Sequence, residues 1–261
     1  MHEQQRTVVV GDPAALGTVA TRRSFLRALG MGGSLVLLPS VFAACSDSTS
    51  PTVSQEVQAR VSRPGVVLNL SNDVGILNYA FALEQLEAGF YDAVLTAPAF
   101  ATLTAEQQEI LRDLRDHEVI HREFLRAAIP ANGGTLIPNL QVDFTAAIAS
   151  GPSILATAMA FEDLGVAAYN GAGKYLQNAT FLTLAGKIVS VEARHAAAIR
   201  DTMDTTGRAF ANFSAAEETS LGASNATALD GALEPMAVLA RVAATNVVQT
   251  PITIGVAPAA L

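Results

Sequence analysis

Four stretches of the chain place apolar residues at alternating steps of three and four, the repeat of one helix face. The first is expected to form a helix over residues 71–95. Leu77, Ala80, Glu84, Glu87, Tyr91 and Val94 lie along its inner stripe, Ser71 or Asn72 is its N-cap, and Ala97-Pro98 ends it. The second is expected over 104–129, opened by Thr104 and Gln107 at capping-box spacing. Its inner stripe reads Ile110, Leu114, Glu118, His121, Leu125, Ala128. A connection of about twenty residues follows, P-A-N-G-G-T-L-I-P-N-L-Q-V-D-F within it, too punctuated for helix and too long for a hairpin turn. The third helix is expected over 152–172, with Ser150 or Gly151 at its start and Gly171 and Gly173 marking its end. It turns Leu155, Ala158, Glu162, Gly165, Tyr169 and Ala172 inward. The fourth, over 179–203 with Asn178 as cap, turns Ile188, Glu192, His195, Ile199 and Thr202 inward. After residue 207 the chain is rich in Ala, Ser, Thr and Asn, with one short helix expected around 234–244 and extended final residues. This tail has two open roles, packing across the helices or mediating association.

Residues 21–45 read differently: T-R-R-S-F-L-R-A-L-G-M-G-G-S-L-V-L-L-P-S-V-F-A-A-C. A basic pair, Arg22-Arg23, precedes a mildly apolar run that closes on small residues, the pattern of a secretory leader. R-R-S-F-L resembles a twin-arginine export signal, and V-F-A-A-C resembles a lipoprotein cleavage box with Cys45 as the lipidated residue. The alternative for Cys45 is a lone cysteine beside an ordinary signal-peptidase site. The polar run S-D-S-T-S-P-T-V-S-Q-E after it suits a tether to a membrane anchor. The apolar stretch is short and interrupted by glycine, which argues against a membrane-spanning helix. The resulting organisation is a leader over 1–45, a flexible tether over 46–69, a helical domain over 70–205 and a C-terminal extension over 206–261. Such a protein is expected in the periplasm or cell envelope.

Composition narrows the chemistry. The net charge is −8 and the only lysines are Lys174 and Lys187, with no basic cluster, which argues against a nucleic-acid surface. One cysteine rules out an intramolecular disulfide and a Cys-rich zinc site.

The apolar stripes carry charge where charge is costly. The first and third helices share E-x-x-x-x-x-x-Y, Glu84 to Tyr91 and Glu162 to Tyr169. The second and fourth share E-x-x-H, Glu118 to His121 and Glu192 to His195. A single such Glu reads as a solvated face. Four on inward stripes would repel one another and lose hydration, and no Lys or Arg shares those stripes. A pair of cations would compensate them. Residues at i and i+3 share a face, so each Glu and His can point at the same ion. Carboxylate oxygens with imidazole suit iron or manganese. Tyr91 and Tyr169 are either core tyrosines or groups that hydrogen-bond a ligand. Glu87 has Gly165 as its repeat counterpart and reads as an extra ligand, a shuttle for incoming metal, or a boundary charge. His117 has Val191 as its counterpart and reads as flanking. Asp163 is expected to point off the stripe.

The segments L-E-Q-L-E-A-G-F-Y, D-H-E-V-I-H-R-E-F-L, A-F-E-D-L-G-V-A-A-Y and V-E-A-R-H resemble the ferritin-like superfamily, in particular exported bacterial ferritin-like proteins of the desiccation-related type. The resemblance spans about residues 70–205. It implies an all-α, antiparallel four-helix bundle with one long crossover between the second and third helices. It implies two Fe or Mn ions, with Glu118 and Glu192 bridging and Glu84 and Glu162 terminal. His121 and His195 would each bind one ion, with Tyr91 and Tyr169 as hydrogen-bonding or redox groups behind them. The activity it implies is reaction with oxygen or peroxide, as oxidase, peroxidase, catalase-like enzyme or ferroxidase, in oxidative or desiccation stress. A non-catalytic envelope bundle with a structural, protective or interaction role is the other class.

Overall fold

The computed structural model describes residues 65–203 and 213–258, all within the unit Arg60–Leu261. The leader, Cys45 and most of the segment read as a tether lie outside the described residues.

Each main helix starts on a cap written in the sequence. Helix α1, Asp73–Thr96, begins at Asn72, whose side chain accepts from Gly75 N at 3.0 Å. A short 3₁₀ turn at Pro98–Thr102 leads to α2, Ala105–Ala131. There Thr104 and Gln107 form the expected capping box. Helix α3, Gly151–Gly173, opens on a second box between Ser150 and Ser153. Helix α4 spans Ala179–Met203, and Asn178 Oδ1 accepts from Thr180 N just before it. Short connections join α1 to α2 and α3 to α4, so each pair is antiparallel, and a long crossover joins the pairs. Two further helices follow, α5 (Ala215–Leu221) and α6 (Pro235–Ala244). Among the described residues no helix is long and apolar enough to cross a membrane.

The four helices are not equivalent. α2 and α4 bury one stripe each, whereas α1 and α3 are buried on most sides. On α2 the stripe ends at Leu111 and Ile129, with Ile110 and Ala128 half-buried beside them. The crossover covers α1 and is held there by two buried amides. Asn78 donates to Thr135 O (2.9 Å) and accepts from Ile137 N (3.0 Å), and Gln85 accepts from Leu140 N (2.9 Å). Phe90 of α1 meets Phe144 of the crossover and Phe161 of α3 edge-on, at ring separations of 5.7 and 5.2 Å.

The tail covers α3. Gly171 lies inside the helix and does not end it. A Cβ there would fall 1.8 Å from Leu233 O, so this glycine admits the tail backbone, which also bonds Leu233 N to Ala167 O at 2.9 Å. Val66–Asn69, at the end of the expected tether, is a strand (β1), not flexible chain. It pairs in parallel with Ile252–Val256 (β2), a small sheet added to an otherwise helical fold. Val66 and Leu68 are buried, which gives the strand its hold on the bundle.

Candidate metal centre

Halfway along the bundle the four stripes meet. Glu84 comes from α1, Glu118 and His121 from α2, Glu162 from α3, and Glu192 and His195 from α4. All four carboxylates are 0% exposed, and both histidines are buried. Their atoms form two sets, Glu84, Glu118, His121, Glu192 and Glu118, Glu162, Glu192, His195, with ligand atoms within 4.8 Å of one another in each. Glu118 and Glu192 belong to both. His121 Nδ1 lies 2.8 Å from Glu192, 3.4 Å from Glu118 and 3.5 Å from Glu84. His195 Nδ1 lies 2.9 Å from Glu118, 3.2 Å from Glu162 and 3.2 Å from Glu192.

The two tyrosines cross over. Tyr91 of α1 donates to Glu162 Oε1 of α3, and Tyr169 of α3 donates to Glu84 Oε1 of α1. Each hydroxyl fixes one oxygen of an unshared carboxylate and leaves the other toward the centre. Burial, together with the adjoining carboxylate, raises both phenols well above their ordinary range, so they remain donors.

The donor set is compatible with bound metal cations. Glu84 Oε2, both oxygens of Glu118, Glu162 Oε2, Glu192 Oε1 and His121 Nδ1 are buried without a well-aligned hydrogen bond, although imidazole and carboxylate atoms approach to 2.8–3.5 Å. Such atoms are costly in a folded core unless an ion takes them up. Their mix of carboxylate oxygen and imidazole nitrogen suits divalent first-row metal ions. With protons alone, the imidazoles must do the compensating. Burial would lower them, but Glu192 and Glu84 outweigh it at His121 and Glu162 outweighs it at His195, so both stand well above the usual imidazole range. Burial and then Glu192 push Glu118 up to about 8, whereas at Glu192 the two imidazoles overcome burial and hold it at about 2.

Glu87 is a fifth buried carboxylate, outside both sets. Its Oε1 occupies the space above Gly165, where a Cβ would lie 2.7 Å away, and its Oε2 has no partner. Burial, then the nearby carboxylates led by Glu118, raise it well above the usual range. The repeat mismatch in the sequence, Glu87 against Gly165, is therefore one feature: the glycine makes room for the acid. Asp163 does leave the centre, as expected, and is buried against Arg200 of α4, which also reaches Glu217 of α5.

His117 lies outside both sets too, but it is not incidental. Its Nδ1 is 2.8 Å from His195 Nε2, and the two rings are inclined by only 16°. Nothing within α2 points to this bond, because the partner is on α4. The one sequence signal was the rarity of histidine itself.

Four antiparallel helices with one crossover, and a buried Glu/His cluster supplied by all four that could hold metal, define a helical bundle of the ferritin-like class. Residues 72–205 match the ferritin-like domain family, and the chain belongs to that family. The match stops where the tail begins, so α5, α6 and the strand pair are additions to it. No curated protein matches the chain.

Proposed function

We propose that this chain is an exported dimetal protein, holding two iron or manganese ions and reacting with oxygen or peroxide under oxidative or desiccation stress. The observation that carries the reading is the pair of four-residue sets that share Glu118 and Glu192, their inward atoms buried without well-aligned hydrogen bonds. In it Glu118 and Glu192, common to both sets, would serve both ions, Glu84 with His121 would complete one position, and Glu162 with His195 would complete the other. When bound in their reduced state, such ions supply the electrons that reduce dioxygen or peroxide. The chain's own groups hold and orient. Tyr91 and Tyr169 keep Glu162 and Glu84 turned inward. Leu125, Ile188 and Ile199, each one turn from a ligand, keep bulk water away.

The leader R-R-S-F-L and the box ending at Cys45 support export by the twin-arginine route and attachment to the membrane through a lipid on Cys45. That route carries folded proteins, so the site can be filled before export. Metal analysis of the protein purified from its own host is the test, with anomalous scattering at the Fe and Mn edges to place the ions. Two ions per chain, lost in Glu118→Ala, are expected. Only trace metal, with the stability of Glu118→Ala unchanged, would sink the reading and leave a non-catalytic bundle. Peroxide consumption that survives Glu192→Ala would remove the site as the catalyst. Membrane attachment is checked by fractionating Cys45→Ala, which is expected to move to the soluble fraction.

A further inference from the structure

We infer that His117 positions His195 as a ligand and makes the two metal positions unequal, the one completed by His195 binding more tightly. The inference rests on the dimetal reading above.

His195 is held from both sides. Nδ1 faces Glu118, Glu162 and Glu192, and Nε2 faces His117 Nδ1 at 2.8 Å. A ring nitrogen bound to a cation carries no proton, so the proton of neutral His195 sits on Nε2. It is donated to His117 Nδ1, and His117 keeps its own proton on its other nitrogen. His195 is thereby locked in one tautomer and one ring orientation, and its Nδ1 becomes the stronger donor. Outer partners of this kind change metal affinity by about 10–100-fold.

His121 has no such support. Its Nδ1 also faces three carboxylates, but among the described residues no group hydrogen-bonds its outer nitrogen. The position related to His117 by the repeat is Val191, which carries no acceptor and is half-buried. The near two-fold repeat of the centre is thus broken at the outer partner of one histidine. His117 is exposed while His195 is buried, so this bond also links one metal position to the surface.

The test is a metal titration of the metal-free full-length chain with Co²⁺, read by its absorption bands, and with Mn²⁺ by calorimetry. Wild type is expected to fill in two steps. His117→Leu should weaken the tighter step by about 10–100-fold and leave the weaker one within twofold. His117→Asn, which keeps an oxygen acceptor, should restore most of the loss. Val191→His should strengthen the weaker step, a gain that a fold defect cannot mimic. ¹⁵N-imidazole NMR of the Zn²⁺-loaded protein should show the His195 Nε2 proton protected in wild type and exchanging in His117→Leu. Unchanged titrations in both His117→Leu and Val191→His overturn the inference while the dimetal reading stands. No metal uptake by wild type overturns both. If His117→Leu does not fold, a Val191→His titration identical to wild type overturns the inference by itself.

Discussion

Glu87 and Gly165 share one space: the acid on α1 lies where a side chain on α3 would be, with a Cβ at 165 only 2.7 Å from Glu87 Oε1. This pairing predicts a change of sign. Gly165→Ala alone should destabilise the protein by about 1–3 kcal/mol, because a buried carboxyl must move in a filled core. In a Glu87→Ala background the same substitution should stabilise by up to about 1 kcal/mol, the ordinary helix advantage of Ala over Gly. Urea denaturation of the four proteins of the cycle measures it, and additive effects would show that the two positions do not compete.

Metal should stabilise the fold through the six inward residues. A ligand at 100 times its dissociation constant adds about 2.7 kcal/mol. Mn²⁺ should therefore raise the melting temperature of the metal-free protein and chelator should reverse it. Glu192→Ala should fold but lose this response, because Glu192 belongs to both sets. A full response in Glu192→Ala would place the stabilising ion elsewhere.

The metal-free protein should lose stability as pH rises between about 5 and 8. Burial, then repulsion, holds Glu87 well above the usual carboxylate range and Glu118 at about 8. His121 and His195 stand well above the imidazole range, their carboxylate neighbours outweighing burial. Each of these groups keeps a proton in the folded chain that the unfolded chain releases at lower pH. Their contribution is complete below the unfolded values, about 4.3 for Glu and 6.5 for His, and fades as pH climbs through the folded ones. Glu192, held at about 2, acts oppositely, and its window lies below the unfolded Glu value. Cations replace these protons, so the metal-loaded protein should show a flatter profile and metal should bind more tightly at higher pH. Urea midpoints at pH 5.5 and 8, with and without Mn²⁺, decide it. Rising stability of the metal-free form would contradict the assignment.

The buried amides of α1 should control the crossover one bond at a time. Asn78→Ala leaves Ile137 N–H and Thr135 C=O without their partner, at a cost of about 1–3 kcal/mol. Hydrogen exchange should speed up at the Ile137 amide and remain slow at Leu140, which Gln85 holds. Gln85→Ala should give the reverse pattern. Equal exchange at both amides in both variants would mean that the crossover opens as a unit.

The bundle was legible because its signals are local. Asn72, Thr104 and Ser150 cap the helices they were expected to cap, and E-x-x-H reads as one face because i and i+3 share it. The short helix α5 also has local end signals, since Ser214 and Glu217 form a capping box and Gly222, at φ 71°, closes it. Its seven residues are too few for an apolar period to stand out. Gly171 is ambiguous in the sequence for a related reason. A glycine near a helix end and a glycine beneath a crossing backbone look alike in one dimension.

By itself, the sequence determined the four helices, their inward stripes and the six Glu and His residues on them. Helical period, caps and the cost of burying charge all act within one helix, and the internal repeat compares like with like. Only the tertiary structure decided that Glu87 fills the space over Gly165, that His117 bonds His195, that each tyrosine serves the opposite helix, and that Val66–Asn69 pairs with Ile252–Val256. These are contacts between distant stretches of chain. They depend on how the helices are set against each other in rotation and height, and the pattern along any one helix leaves that setting free.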